Sequence, residues 1–417
     1  MNHRDLLKAM FQAAVDAADP MTGIRAHLPA KPKGKTVVIG AGKGAAQMAA
    51  AFETLWEEPL SGVVVTRYGY GCETRDIEIL EAAHPVPDAA GLAAGKQLID
   101  AISGLSEDDL VVALICGGGS ALLPAPPHGM TLEDEIAVNE ALLASGAPIS
   151  AMNTVRKHLS TIKGGRLAAA TKAPVVSLIV SDIPGDNPAH VASGPTVPDP
   201  ATRHDALRIV EQYGLALPSP ALRHLNSEAA DAPKPDDPVF ARDSHHIIAS
   251  AGVSLEAAAQ VAREAGFTPA ILSDAIEGES REVAGVHAAI AREVLHRDRP
   301  FQKPAVLLSG GETTVTIRKK GGRGGRNGEF ALAFALEIEG EAITLLAADT
   351  DGIDGSEDNA GAFADGETAA RMRAVGLDPR GLLDANDSYT GFAAVGEVFE
   401  TGPTGTNVND FRAAVVG

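Results

Sequence analysis

Short apolar runs and longer amphipathic stretches alternate along this chain. Residues 35–40 (KTVVIG), 62–66 (GVVVT), 109–117 (DLVVALICG) and 173–182 (APVVSLIVSD) are apolar at most positions and rich in Val and Ile. Runs of this kind, too short for helices, predict strands buried on both faces. Between them, residues 43–57, 88–103, 131–145 and 150–170 follow a helical period. Strand–helix alternation predicts parallel strands covered on both sides. Asp88 and Thr131 stand where helix N-caps belong, and Thr131 with Asp134 resembles a capping box.

The pattern breaks at 217–240, which holds five prolines and little periodicity. Its end predicts a domain boundary, giving domains 1–238 and 239–417. Alternation then resumes: strand 245–250, helix 252–266, strand 269–273, helix 279–296. The run AVLLSGGETTVTI (305–317) predicts two strands about a Gly-Gly turn. A helix at 328–339, a strand at 342–349 and a terminal FRAAVVG complete an α/β chain without internal repeats.

A chain of 417 residues exceeds one ordinary core, in line with two domains of ~100–200 residues each. Its net charge of −20 opposes nucleic acid and anionic lipid. A small anion would therefore need a local basic pocket. Cys72 and Cys116 form no CxxC pair, which excludes a zinc ribbon or disulfide framework and suits reduced thiols in the cytoplasm. The opening MNHRDLLKAMFQAAVDAA is an amphipathic helix with dispersed charges, unlike a signal peptide. No stretch reaches the ~18 uninterrupted apolar residues of a membrane span.

The chemistry gathers in glycine turns. Gly40-Ala41-Gly42-Lys43-Gly44-Ala45 fits the loose G-x-G-x-x-G/A pattern between a strand and a helix. A dinucleotide site also wants an acid at the end of the next strand, but that strand ends in Arg67, which would instead accept a 2′-phosphate. The Walker A spacing is missing. Two readings survive for this loop alone: an anion site, with backbone N–H groups at a helix start and Lys43 adding a full charge, or a plain strand–helix turn with a solvated lysine. Further loops follow: Gly117-Gly118-Gly119-Ser120, Asp182 and Asp186 in SDIPGDNP, Glu312 in SGGET, and Arg323 and Arg326 in GGRGGRNGEF. Asp349 and Asp351 close a strand, and Thr404, Thr406 and Asn407 lie in GPTGTNVND. The acidic loop is no EF-hand, because Ile353 occupies a ligand position. Open α/β sheets bind ligands beyond the carboxyl ends of their strands, so one cleft is expected. Lys and Arg among glycines suit phosphate and carboxylate. Nearby carboxylates suit Mg²⁺. Phosphoryl transfer, mostly positioning and charge stabilisation, needs that inventory.

Together these motifs resemble class II glycerate kinases, the family with a C-terminal MOFRL domain whose members are often labelled hydroxypyruvate reductase. The matching stretches include VIGAGKGAAQMA, ICGGGSALL, MNTVRKHLSTIKGGRLA, SLIVSDIPGDNPAHVASGPTVPDP, GRGGRNGEFALAFAL and GPTGTNVNDF. They run in order over nearly the whole chain. The resemblance implies a Rossmann-like parallel-sheet N-terminal domain, a smaller α/β C-terminal domain and an active cleft between them. It implies phosphorylation of D-glycerate by ATP at the C2 hydroxyl, with Lys43 and Arg326 implicated in activity. On this reading Lys43 neutralises the transferring phosphoryl group, and Arg326 clamps the glycerate carboxylate or the γ-phosphate. Asp182 or Asp186 accepts the hydroxyl proton. Gly40, Gly42, Gly44, Gly117, Gly118, Gly119 and Ser120 cradle ATP, with Lys163 reaching phosphate. Glu312, Asp351 and Asp349 serve Mg²⁺, and Asn407 and Thr406 hold substrate. His158 reads as a satisfied or solvated histidine, and His84, His190, His245 and His246 as structural or surface groups. Two alternatives stand beside this: an NAD(P)H-dependent hydroxypyruvate reductase, and a non-catalytic nucleotide or sugar-acid sensor. A homodimer is left open.

Overall fold

Thr36–Ala41 (β1) is buried at all six positions, which fixes it inside a sheet covered on both faces. The computed structural model describes residues 2–317, 321–355 and 357–417. Leu60–Arg67 (β2), Ile77–Ala82 (β3), Leu110–Ile115 (β4), Val175–Val180 (β5) and Ser244–Ala249 (β6) join β1 in the order β3-β2-β1-β4-β5-β6. The pairs β1–β2, β2–β3, β1–β4 and β4–β5 are parallel. This is the Rossmann order, and it reverses direction between β1 and β4. Side chains alternate between faces. Val37, Ile39, Val111 and Ile115 meet Leu98 and Ile102 of the helix Ala89–Ile102. Val38, Val112 and Leu114 meet Met48 and Phe52 of the helix Ala45–Leu55. Asp88 caps the first of these helices, and Thr131 with Asp134 forms a reciprocal capping box on Leu132–Ala144. Such caps stabilise by about 1 kcal/mol each.

The helix expected over 150–170 is two helices, Ile149–His158 and Arg166–Ala169. Residues 217–240 are more than a linker. They contain the helix Ser219–Leu225, whose Ala221 and Leu225 pack with Val138, Leu142 and Val155.

A second sheet holds Thr268–Glu279 (β7), Ala305–Thr314 (β8), Ile343–Asp349 (β9), Gly361–Asp365 (β10), Val398–Phe399 (β11) and Asp410–Val416 (β12). Its order is β11-β10-β9-β12-β8-β7. Only β7–β8 is parallel among its pairings; β8–β12, β12–β9, β9–β10 and β10–β11 are antiparallel. The two strands expected in 305–317 are one strand, because Gly310-Gly311 does not turn. Gly311 lies at φ +122°, and a Cβ there would stand 2.2 Å from the Ile276 nitrogen. The partner strand shifts register beside it, between Ser273 and Ile276. The glycine pair thus lets β8 pass an irregularity in β7.

The expected division at 238/239 is corrected. One compact unit runs from Pro20 to Ile248, and the other combines the segment through Asp19 with Ala249–Gly417. Ser244–Ala249 belongs to the first sheet. The helix His3–Ala17 belongs to the second: Leu6, Leu7, Met10 and Phe11 cluster with Val306, Leu346, Ala413 and Val415. Phe11 makes edge contacts with Phe399 at 5.1 Å and Phe411 at 5.6 Å between ring centroids. Burying such a side chain stabilises by roughly 1.5–3 kcal/mol. Amphipathicity announced the buried stripe but not which sheet receives it.

Candidate functional site

In the Pro20–Ile248 unit, the turns after β1 and β4 and the end of β2 are bound to one another. The Lys43 N–H donates to the Gly117 carbonyl at 2.9 Å. The Thr66 hydroxyl donates to the Lys43 carbonyl at 3.1 Å, and the Gly44 N–H donates to Cys116 Sγ at 3.2 Å. The backbone of Lys43 is thereby fixed while its side chain is exposed. The Lys43 ammonium has no hydrogen-bond or ion-pair partner among the described residues. Gly117 is required by close approach: a Cβ there would lie 1.7 Å from Asp182 Oδ2. Gly118 holds φ +81°, and a Cβ on it would meet Lys43 Cγ and His84 Nε2, each at 3.0 Å. Lys43, Asp182, His84 and the turn 117–120 therefore share one place, at the switch point of the sheet.

The charges register there. Burial, then the cations Lys43 and Arg67, lowers the pKa of His84 and favours its neutral form. Burial pushes the Cys116 thiol up to about 12, with Asp182 adding to the effect, so it is no nucleophile. Arg67 lies over the Tyr70 ring, 3.8 Å from its centroid.

Ser120 opens a chain of polar contacts. Its Oγ lies 2.9 Å from Ser193 Oγ, which donates to Asn153 Oδ1 at 3.1 Å. Asn153 Nδ2 donates to the His190 carbonyl at 3.2 Å. Ala192 and Ser193 both adopt left-handed backbone, φ +52° and +62°. Strain of about 1–3 kcal/mol per such residue persists where surroundings enforce it, and it gathers at functional sites. Sequence reading missed Asn153, Ser193 and His84 as site residues. No local pattern announces left-handed backbone at Ala or Ser.

Two expectations here are corrected or unsupported. Lys163 is not a phosphate ligand: it is 2% exposed, and its ammonium donates to Glu135 Oε1 at 2.8 Å and the Leu123 carbonyl at 3.0 Å. Burial demanded a partner for that charge, and Glu135 supplies it. Asp186 sits at φ +49° on the turn Pro184–Asp186, with no side-chain contact tying it to Lys43 or Gly117. Gly40, Gly42 and Gly44 lie along the end of β1 and its turn, as expected.

In the second unit, Arg326 begins the helix Arg326–Glu337 directly after Gly325. Asp354 caps that helix, accepting from the N–H groups of Asn327 at 2.9 Å and Gly328 at 2.7 Å. Arg326 Nε donates to Asp410 Oδ1 at 2.6 Å and Nη2 to Asp349 Oδ2 at 2.6 Å. Nη1 stands 3.9 Å from exposed Glu312. Asp410 also accepts from Asn327 Nδ2 at 2.8 Å and from the Thr313 N–H at 3.2 Å, and it is ion-paired with buried Arg412. Two carboxylates thus orient the Arg326 fork while a quarter of the side chain stays exposed. Burial alone would lower the pKa of Arg326, but Asp410, Asp349 and Glu312 outweigh it and raise it. Burial, with Asp351 and Asp410 adding to it, pushes Asp349 up to about 8. Burial pushes Asp354 up to about 6 despite its two backbone donors.

The expected metal role of Asp349 is corrected, because both its oxygens are engaged: Oδ2 by Arg326 and Oδ1 by the Asp351 N–H at 3.1 Å. Asp351 accepts from the Ile353 N–H at 2.8 Å and from Asn407 Nδ2 at 3.2 Å. Thr406 is also reassigned, its hydroxyl donating to the Ala18 carbonyl at 2.9 Å. Arg323 lies over the Tyr389 ring at 4.3 Å and pairs with Glu357 at 2.5 Å. Among the described residues, no three His, Cys, Asp or Glu side chains stand grouped for a metal ion, and no helix is long and apolar enough to cross a membrane.

Comparison with known proteins bears on both halves. Residues 6–226 match the model of a domain of unknown function, DUF4147, and residues 305–410 match the MOFRL family. The chain is 40% identical to the glycerate 2-kinase of Pyrococcus horikoshii, over 100% of this chain and 98% of that one. It is 41% identical to the D-glycerate 2-kinase of Thermotoga maritima, over 98% and 97%. It is 51% identical to a putative hydroxypyruvate reductase of Agrobacterium vitis, over 99% and 94%. A crystal structure of a Thermotoga maritima glycerate kinase superposes with a TM-score of 0.90 at 38% identity, covering 99% of each chain.

Proposed function

The chain belongs to the class II glycerate kinase family, and on that premise we propose that it transfers the γ-phosphoryl group of ATP to the C2 hydroxyl of D-glycerate. The observation that carries this reading is Lys43: a cation without a partner among the described residues, its backbone pinned between glycine turns at the switch point, with Asp182 against Gly117. Helix-start N–H groups and a mobile ammonium fit a polyphosphate tail. Asp182 takes the C2 hydroxyl proton as that oxygen attacks phosphorus, and the bond to the β,γ-bridging oxygen breaks to release ADP. Arg326, held in a fixed orientation by Asp349 and Asp410, offers its remaining N–H edge to the glycerate carboxylate or the γ-phosphate.

Mg²⁺ binds with few protein carboxylates plus phosphate oxygens. Asp351 and exposed Glu312 fit it in kind, since neither is ion-paired as tightly as Asp349. When bound, it neutralises phosphate charge.

The test is ³¹P NMR of the reaction of protein, MgATP and D-glycerate. Phosphate on C2 couples to one proton and phosphate on C3 to two, so a doublet is expected for the new monoester. A triplet would overturn the C2 assignment, and unchanged ATP would overturn the kinase reading. The strand order and the 40–45 turn also suit a dinucleotide, which favours hydroxypyruvate reduction as the second reading. Oxidation of NADH or NADPH by hydroxypyruvate, with ATP untouched, would establish it instead.

A further inference from the structure

A cavity of about 560 Å³ opens in the Pro20–Ile248 unit, lined in part by His128, Ser160, Thr161, Arg166, Arg223 and His224. Its volume suits a small molecule. Its character is unusual for this chain: net charge is −20, yet no lining residue is acidic and four carry or can carry positive charge.

Arg166 is the anchor. Its guanidinium donates to four carbonyls: Lys157 at 2.7 Å, Lys163 at 3.3 Å, Ala230 at 2.9 Å and Asp231 at 3.1 Å. These bonds fix the plane of the group but supply no counter-charge. No carboxylate forms an ion pair with Arg166 among the described residues. The Asp231 carboxylate that it senses is held by Arg203 at 3.1 Å. Burial lowers the pKa of Arg166 to about 10, the direction expected of a desolvated cation without a close anion. Across the same cavity, the side chains of Arg223 and His128 have no hydrogen-bond or ion-pair partner among the described residues. Arg223 and His128 stand exposed at the rim, where water serves them, but half-buried Arg166 is a cation of the kind that is ordinarily paired. Here the missing counter-charge and the space for it coincide.

We propose that this cavity binds a small multivalent oxyanion, a phosphate-bearing or polycarboxylate metabolite, as an effector site separate from the glycine turns. Arg166 supplies the fixed charge and the rim residues Arg223 and His128 close on the anion. A route to the proposed active turn exists. Thr161 donates from its N–H to the Ala125 carbonyl at 2.8 Å, and Gly164 donates to the Ser193 carbonyl at 3.1 Å. Ser193 in turn touches Ser120. An anion that stiffens 160–166 therefore acts on the backbone that positions Ser120.

The test is isothermal titration of the full chain with inorganic phosphate and separately with citrate and 3-phosphoglycerate, which resolves a free phosphate from an organic polyanion. It is done in wild type, Arg223→Glu and Lys43→Ala. Two classes of site are expected in wild type. Arg223→Glu should weaken one at least tenfold and leave turnover without effector unchanged, while Lys43→Ala should spare that class. Arg223 is exposed, so the variant folds, and thermal unfolding checks it. A single class lost in Lys43→Ala, or two classes indifferent to Arg223→Glu, would overturn the proposal.

Discussion

Arg326→Ala separates structural from chemical work at one residue. The substitution removes two charge-assisted hydrogen bonds of 2.6 Å, to Asp349 and Asp410. Asp410 keeps Arg412, Asn327 and Thr313. Asp349, 3% exposed, keeps only the Asp351 N–H among the described residues. Breaking a buried pair by removing one partner costs about 3–5 kcal/mol. Burial already pushes Asp349 toward its protonated form, so once Arg326 is gone it sheds the stranded charge by taking up a proton, which holds the cost near the lower limit. About 3 kcal/mol lowers the melting temperature by roughly 6–12 °C in a unit of this size. Turnover should fall about 10²–10³-fold, as for loss of one preorganised charge contact. Adding Asp349→Asn removes the stranded carboxyl. The double variant should recover most of the melting temperature, read by circular dichroism, and none of the turnover, read as ADP release. Wild-type turnover in the single variant, or recovered turnover in the double, would refute the assignment of Arg326 to substrate.

Other outcomes follow from the same structure. Lys43→Met should leave the melting temperature within about 1 °C, because the ammonium has no partner among the described residues, and lower kcat by about 10²-fold. Gly117→Ala places a carbon within 1.7 Å of Asp182 and should depress kcat far more than stability, with steady-state kinetics as the check. Phe11→Ala should destabilise the second sheet by about 3–5 kcal/mol, measured by denaturant unfolding. Asp354 holds its proton to about 6 when folded, against an ordinary value of 3.8, so its native contribution is greatest below pH 4 and is lost as pH rises through 6. Asp354→Asn should therefore gain stability relative to wild type between pH 4 and 7, and parallel pH profiles would refute this.

Much of the first sheet was legible. β1 and β4 are continuous apolar runs, and the turns after them carry the glycines that close approach requires. The caps at Asp88 and Thr131 were equally clear, since local side-chain chemistry sets them. β3 and β10 were not read, because each is short and mixes apolar with charged or small residues that tertiary pairing overrides. Lys163 looked like a phosphate ligand beside two glycines. Only the fold reveals Glu135 waiting for it, 28 positions earlier. Arg326 was chosen for its glycines, but the carboxylates that aim it come from residues 349 and 410, which sequence proximity does not connect.

The order of synthesis follows from one placement. β12, residues 410–416, lies between β9 and β8 at the heart of its sheet, and that sheet also receives the helix His3–Ala17. As the ribosome extends the chain, the helix His3–Ala17 emerges with its apolar stripe uncovered and must wait until residues 410–416 have followed. Pro20–Ile248 can meanwhile complete its own core, leaving the early helix as a sticky leader on the nascent polypeptide. Polar substitutions on the apolar stripe of His3–Ala17 should consequently show their damage in the sheet built from residues 268–416.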